Sequence, residues 1–305
     1  MPESALDAAS RPEALALLPR CTFPPAGTEV SCAVSGGADS TALLVLALAA
    51  GCVATAVHVD HQLRAGSDRE AEVVAASAAR LGAGFRGVRV EVGDGPNLEA
   101  RARTARYAAL PSGVLTGHTA DDQAETVLVN LLRGAGASGL AAMRPGHRRP
   151  LLSLRRSDTV ALCAALGLDV IDDPSNADPR HLRNRVRHEL LPQMAALARR
   201  DLVPVLARQA LLARDEADLL DELAAALDPT DAGGLTAAPV ALARRAVRRW
   251  LGGVHPPDAA TVERVLAVAR GEHLATEVGG GRRVERHQQR LSLSGPREHG
   301  AERVS

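Results

Sequence analysis

The residues best suited to chemistry fall in short polar clusters that interrupt apolar sequence. In the stretch Ser35-Gly36-Gly37-Ala38-Asp39-Ser40, strand-like residues end in two glycines and a helical pattern begins at once. Such a turn gathers backbone N–H groups at the positive end of a helix dipole, a concavity that suits a phosphate or pyrophosphate. Gly36 and Gly37 let the main chain approach the anion because no Cβ intervenes, and Ser35 and Ser40 add hydroxyl donors. Asp39 is unfavourable beside a bare phosphate. It suits a helix cap or a ligand to a bound Mg²⁺. The lysine of a Walker loop is missing, and this stretch carries no GxGxxG. Taken alone, the loop could equally be a structural turn.

Other clusters surround it. In TGHTADDQAET (116–126), Asp122 and Glu125 are three residues apart and share one face of a helix. A helix start also favours Asp121 and Asp122 through its dipole, an account that fits Glu125, one turn on, less well. His118 in the same turn is a secondary candidate. Asp60 and His61 end a second strand, where open sheets commonly contact a nucleotide, although a plain strand-end turn reads the same. Arg101, Arg103 and Arg106 follow Asn97 on an expected helix; Arg103 and Arg106 share a face, and one of them could reach a phosphate. Arg133 sits at a helix end, which itself favours a cation. The segment RHLRNRVR gathers Arg180, Arg183, Arg185 and Arg187, a cluster suited to phosphate contacts. A second basic run, ARRAVRRW (243–250), reads equally as a solvated helix face.

The elements that must position these clusters alternate. Strand patterns at 28–35, 52–60, 85–92 and 113–118 are each followed by a helical pattern. That predicts a doubly wound parallel α/β sheet with every strand's C-terminal end on one rim, so SGGADS, HVDHQLR and TGHTADDQ gather there. The expected organisation is an N-terminal segment 1–27, a catalytic domain 28–192, a smaller helical domain 193–290 and a disordered tail 291–305; the stretch RRVERHQQRLSLSG (282–295) reads as a final strand pair or a docked tail. Apolar residues make up 46% of the chain but aromatics only 1%, so the core must be Leu, Val and Ala. Net charge is zero, which leaves nucleic-acid binding to local basic patches. All 36 basic residues are Arg, so the chain supplies no catalytic lysine. The four cysteines form no CxxC pair, which argues against a zinc ribbon, an iron–sulfur site or a disulfide framework and suits a reducing compartment. No signal peptide is expected, and the uncharged run Thr41–Val57 is shorter than the ~20 residues of a membrane span. The expected location is cytoplasmic.

SGGADS resembles the SGGxDS loop of the ATP-pyrophosphatase (PP-loop) superfamily. With it, HVDHQLR (58–64), NLEARARTARY (97–107), TGHTADDQAET, LLRGAGASGLAAM (131–143), RPLL (149–152), DDPSNAD (172–178) and RNRVR (183–187) resemble the tRNA(Ile)-lysidine synthase family. The match runs from about Val30 to about Pro192. The loop is specific only to the superfamily; GHTADDQAET together with SNAD and RNRVR is more specific. The resemblance implies that ATP, with Mg²⁺, adenylates the wobble cytidine of the isoleucine tRNA with a CAU anticodon, and that free lysine then displaces AMP. It implies that residues 35–40, His61 and His118 hold ATP, that Asp39, Asp60, Asp122, Glu125 and Arg106 serve catalysis, and that Asp122 and Glu125 grip the lysine. Arg133, Arg180, Arg183, Arg185 and Arg187 would contact RNA. Gln62 stands where the family usually has Gly. The chain is expected to lack the additional C-terminal domain of longer members, which leaves open how the acceptor side of the tRNA is recognised. A thiolase of the same superfamily, which usually needs paired cysteines, and a non-catalytic adenine-nucleotide-binding module are the other readings.

Overall fold

The computed structural model describes residues 10–60, 67–90, 101, 104–105, 108–172, 178–252 and 257–295. The chain forms two compact units, Met1–Leu212 and Ala213–Ser305, and the division falls inside one long helix.

The first unit is built on four parallel strands, β1 (Glu29–Ala33), β2 (Val53–Asp60), β3 (Gly84–Arg89) and β4 (Leu115–Thr116), in the order β3-β2-β1-β4. The chain steps outward from β1 to β3 and then returns to the other side of β1. This reversal creates the crevice at which open α/β sheets bind ligands. Ala33 is in register with Val57 on one side and Thr116 on the other, so the segments leaving β1 and β4 emerge level with each other.

Helix α1 (Pro12–Leu17) precedes the sheet, α2 (Ala38–Ala49) follows β1 and α3 (Ser67–Leu81) follows β2. Helix α4 (Ala120–Leu132) follows β4, and α5 (Arg156–Ala165) comes after an irregular segment. The central helix α2 is apolar on every side, as expected of a helix with no solvent face. Leu43, Leu44, Val45 and Leu46 are fully buried and form the core with Cys32, Val34, Val74, Leu151 and Leu154. A basic segment follows: a single turn α6 (Leu182–Arg185), a π-turn Val186–Leu190, and α7 (Leu191–Ala198).

Helix α8 (Val203–Ala225) runs across the division. The second unit contains α9 (Ala232–Ala237), α10 (Val240–Leu251), α11 (Ala259–Arg270) and an antiparallel sheet β5 (Ala275–Gly279), β6 (Arg282–His287), β7 (Arg290–Ser294). The unit is helical plus a three-stranded sheet: residues 282–295 take the strand-pair reading, and residues 291–294, placed with the tail, belong to its last strand. The alternation Leu291, Ser292, Leu293 turns both leucines onto the core of Leu235, Val247, Leu251, Val265 and Val284. Residues 296–305 lie outside the described residues. On α10, Ala243, Ala246, Val247 and Leu251 face that core, while Arg244 pairs with Glu263 and Arg245 with Asp221. That run therefore reads as a salt-bridged helix face. Among the described residues no helix is long and apolar enough to cross a membrane.

Two close approaches fix the rim. A Cβ on Gly117 would lie 2.5 Å from the Asp39 carbonyl oxygen and 3.1 Å from Ser40 Cα, so the segment leaving β4 rests directly on the first turn of α2. His58 on β2 is buried, and its Nδ1 lies 2.9 Å from the Val34 carbonyl oxygen, at the end of β1. Substituting Gly117→Ala forces backbone against backbone and is expected to cost about 1–3 kcal/mol of stability. Thermal or denaturant unfolding measures this, and an unchanged midpoint would mean that the first turn of α2 yields freely.

Candidate active site

The loop after β1 is preformed. Gly36 has φ +93°, and the side chain of Ile171 fills the space where its Cβ would be, with Cδ1 2.3 Å from that position. The Ile171 N–H donates to the Gly36 carbonyl (2.9 Å), clamping the turn from outside. The Ser40 hydroxyl donates to the Gly37 carbonyl (2.9 Å) and accepts from the Ser35 N–H (3.2 Å), so it shapes the loop from within. Among the described residues, the N–H groups of Gly36, Gly37, Ala38, Asp39 and Ser40 donate to no protein group. They crown a 12-residue helix whose N-cap, Gly37, offers no side-chain acceptor. Open amides at a helix N-terminus suit an anion.

Asp39 is not the helix cap. One oxygen accepts from the hydroxyl of buried Thr159, the other from Arg156 Nε (3.1 Å). Burial pushes its carboxyl above the usual range, an effect that the bonds to Thr159 and Arg156 only partly offset.

Arg156, at the first position of α5, joins Asp39 to the acidic pair. Its Nη2 donates to Asp122 Oδ1 (3.0 Å) and its Nη1 to Glu125 Oε1 (3.2 Å). Arg183 reaches Asp122 Oδ1 (2.9 Å) through Nη2 and Glu125 Oε2 (2.8 Å) through Nε. Arg187 donates to both Glu125 oxygens (2.6 and 2.9 Å). Glu125 is only 1% exposed, so three guanidinia sustain its charge away from water. Asp122 does two jobs. Its Oδ2 accepts from the Thr119 N–H (2.8 Å) and hydroxyl (3.1 Å) in a capping box, while Oδ1 faces the arginines. Burial works against its ionisation, but the fields of Arg156 and Arg183, the Thr119 N–H and the nearby His118 outweigh it and hold its pKa down. Burial also opposes the charge of Arg156, and Asp122, Glu125 and Asp39 more than compensate, raising its pKa further.

The expected residues therefore divide. Residues 35–40, Asp122 and Glu125 come together, and His118 stands beside them with its Nδ1 2.8 Å from Thr116 Oγ1. Asp60 ends β2 on the same rim and is buried. Asp121 is not a solvated helix start: it accepts from Arg155 (3.1 Å) and from the Arg156 N–H (2.8 Å). The basic cluster splits by helical period. Arg183 and Arg187, four apart, turn inward to the carboxylates, while Arg180 and Arg185 stay exposed on Asp178 and Glu189. Arg133 is exposed at the far end of α4, about 16 Å along the helix from Asp122. His61 and Arg106 lie outside the described residues.

Sequence reading missed Arg156, Arg155 and Thr159. One signal was present: two adjacent arginines open a helix, where the dipole disfavours cations, which implies carboxylates waiting nearby.

Asp122 carries a pH test. Its folded-state pKa is below the ordinary 3.8, so its stabilising contribution is complete above the unfolded value and is lost as pH falls through the folded one. The stability gap between wild type and Asp122→Asn is expected to be full above about pH 4 and to close as the pH drops further. Denaturant unfolding from pH 7 to 2.5 checks this; a gap that widens in acid would show that the arginines do not stabilise the ionised form.

Residues 17–194 match the PP-loop domain and residues 231–292 match the TilS substrate binding domain. The tRNA(Ile)-lysidine synthase of Nocardia farcinica is 44% identical over 280 residues, covering 85% of this chain and 88% of that protein. The tRNA(Ile)-lysidine synthase of Thermobifida fusca is 41% identical over 303 residues, covering 88% and 93%. That of Mycobacterium tuberculosis H37Rv is 41% identical over 266 residues, covering 79% and 82%. Among solved structures, the U34-tRNA thiolase NcsA from Methanococcus maripaludis is a looser likeness, with a TM-score of 0.48 and 16% identity over 63% of this chain and 73% of that one. Two matched domains in order, and relatives aligned along most of their length, place this chain in the tRNA(Ile)-lysidine synthase family.

Proposed function

We propose that the protein joins free lysine to C2 of the wobble cytidine of the CAU-anticodon isoleucine tRNA in two steps at this rim. The observation that carries the reading is the juxtaposition, through Arg156, of an open-amide anion loop and a buried carboxylate pair. The carbonyl oxygen of a pyrimidine cannot leave as oxide. It first attacks the α-phosphorus of ATP and expels pyrophosphate. The lysine ε-amine then bonds to C2, the C2–O bond breaks and AMP departs, while the amine sheds its proton.

The chain's part is to hold and to polarise. The amides of residues 36–40 and the Ser35 hydroxyl receive the triphosphate, where negative charge accumulates on the leaving pyrophosphate. An amine attacks only when neutral, so a carboxylate must bind the arriving ammonium and accept its proton; Asp122 and Glu125 take that role. Asp39, beside the loop and fixed by Thr159 and Arg156, fits the usual Mg²⁺ arrangement of one carboxylate plus nucleotide phosphates. A bound Mg²⁺ supplies charge neutralisation to the phosphates. Arg180 and Arg185, with Arg133 farther off, are the exposed cations available to RNA phosphates. With ATP, lysine and tRNA as substrates, the protein's place is the cytoplasm. A thiolase role draws no support from the thiols: burial pushes Cys21 and Cys32 up to about 12 and Cys163 to about 11, leaving them inert near neutrality.

Incubation with ATP, Mg²⁺, radiolabelled lysine and the CAU-anticodon tRNA is expected to label the RNA and release AMP. Glu125→Gln is expected to raise the KM for lysine roughly 10–100-fold and to leave the KM for ATP nearly unchanged. Equal effects on both constants would refute the lysine grip, and equal labelling of other tRNAs would refute the specificity.

A further inference from the structure

The carboxylates are already matched without a substrate. Asp39, Asp122 and Glu125 face Arg156, Arg183 and Arg187, three carboxylates against three guanidinia, with His118 near Asp122. A lysine ammonium entering this largely buried place would be a fourth cation to three anions, and uncompensated charge there is costly. One guanidinium must leave as the ammonium arrives.

The three arginines are not held alike. Arg156 bonds to all three carboxylates and stands at the root of α5. Arg187 grips Glu125 with two donors and is 22% exposed. Arg183 is the most exposed, at 36%, and gives one donor to Asp122 and one to Glu125, the bridging position a substrate cation would take. It rides on a single helical turn followed by the π-turn Val186–Leu190, a geometry that recurs at functional sites.

We propose that Arg183 is a placeholder cation: it occupies the ammonium position while the site is empty, and lysine displaces it outward, where an RNA phosphate can receive it. This inference rests on the reading of Asp122 and Glu125 as the lysine grip. It makes lysine and tRNA mutually reinforcing ligands, because each stabilises the same displaced arginine.

The test is equilibrium dialysis of radiolabelled lysine against the full chain, first without nucleotide or RNA. Arg183→Ala leaves two guanidinia for three carboxylates, and an ammonium restores the balance. This variant is expected to bind lysine roughly tenfold more tightly than wild type, while Arg183→Lys, which keeps a competing cation, stays near wild type. Added CAU-anticodon tRNA is expected to tighten lysine binding to wild type and not to Arg183→Ala. Thermal unfolding gives a second readout, with lysine raising the midpoint of Arg183→Ala more than that of wild type. Lysine binding to Arg183→Ala no tighter than wild type, with binding lost in Glu125→Gln, overturns the placeholder and spares the lysine reading. Undiminished binding in Glu125→Gln overturns the lysine reading itself.

Discussion

A carboxylate at the fully buried position of Glu125 can persist only if cations follow it inside, and the site is arranged around that demand. Asp39 comes from the first turn of α2, Asp122 and Glu125 from α4, Arg156 from the root of α5, and Arg183 and Arg187 from the basic segment beyond. The network draws together sequence positions more than 140 residues apart. Stripping one partner from such a buried pair commonly costs about 3–5 kcal/mol, because the remaining charge stays unneutralised. The cluster is therefore a structural tie, and any ligand that enters must renegotiate it.

The anion loop is held by separate contacts. His58 meets the Val34 carbonyl just past β1, Gly117 lets the neighbouring segment lie on α2, and Ile171 closes over Gly36. None of these residues presents chemistry of its own. They hold the loop of residues 36–40 in place without a ligand to organise it, so binding has little ordering entropy to overcome.

Local pattern made much of this legible. The strand and helix alternation up to α4 follows from apolar periodicity, and the rim that gathers SGGADS and ADDQAET follows from handed crossovers. The order β3-β2-β1-β4 does not, because strand neighbours depend on where the chain reverses, which leaves no local mark. β4, expected over 113–118, is in place but pairs at only two residues. Arg156 was hidden for the same reason as the strand order: its partners lie 31 to 117 residues away. The cluster 180–187 read as one basic patch, whereas helical geometry makes it two faces with opposite tasks. In the second unit the alternating residues 290–294 are short and arginine-flanked, so a final strand and a docked tail read alike in the sequence, and burial of the leucines selects the strand.

The exclusive use of arginine has a chemical consequence at this rim. An adenylated cytidine is an electrophile that accepts any neutral amine within reach. A lysine side chain lining the pocket would sometimes shed its proton and become covalently attached, ending the enzyme's life in one turnover. A guanidinium stays protonated throughout the physiological range and offers no lone pair. With 36 arginines and no lysine, every guanidinium bordering the activated base is chemically mute, and no side-chain amine of the chain can rival the substrate's.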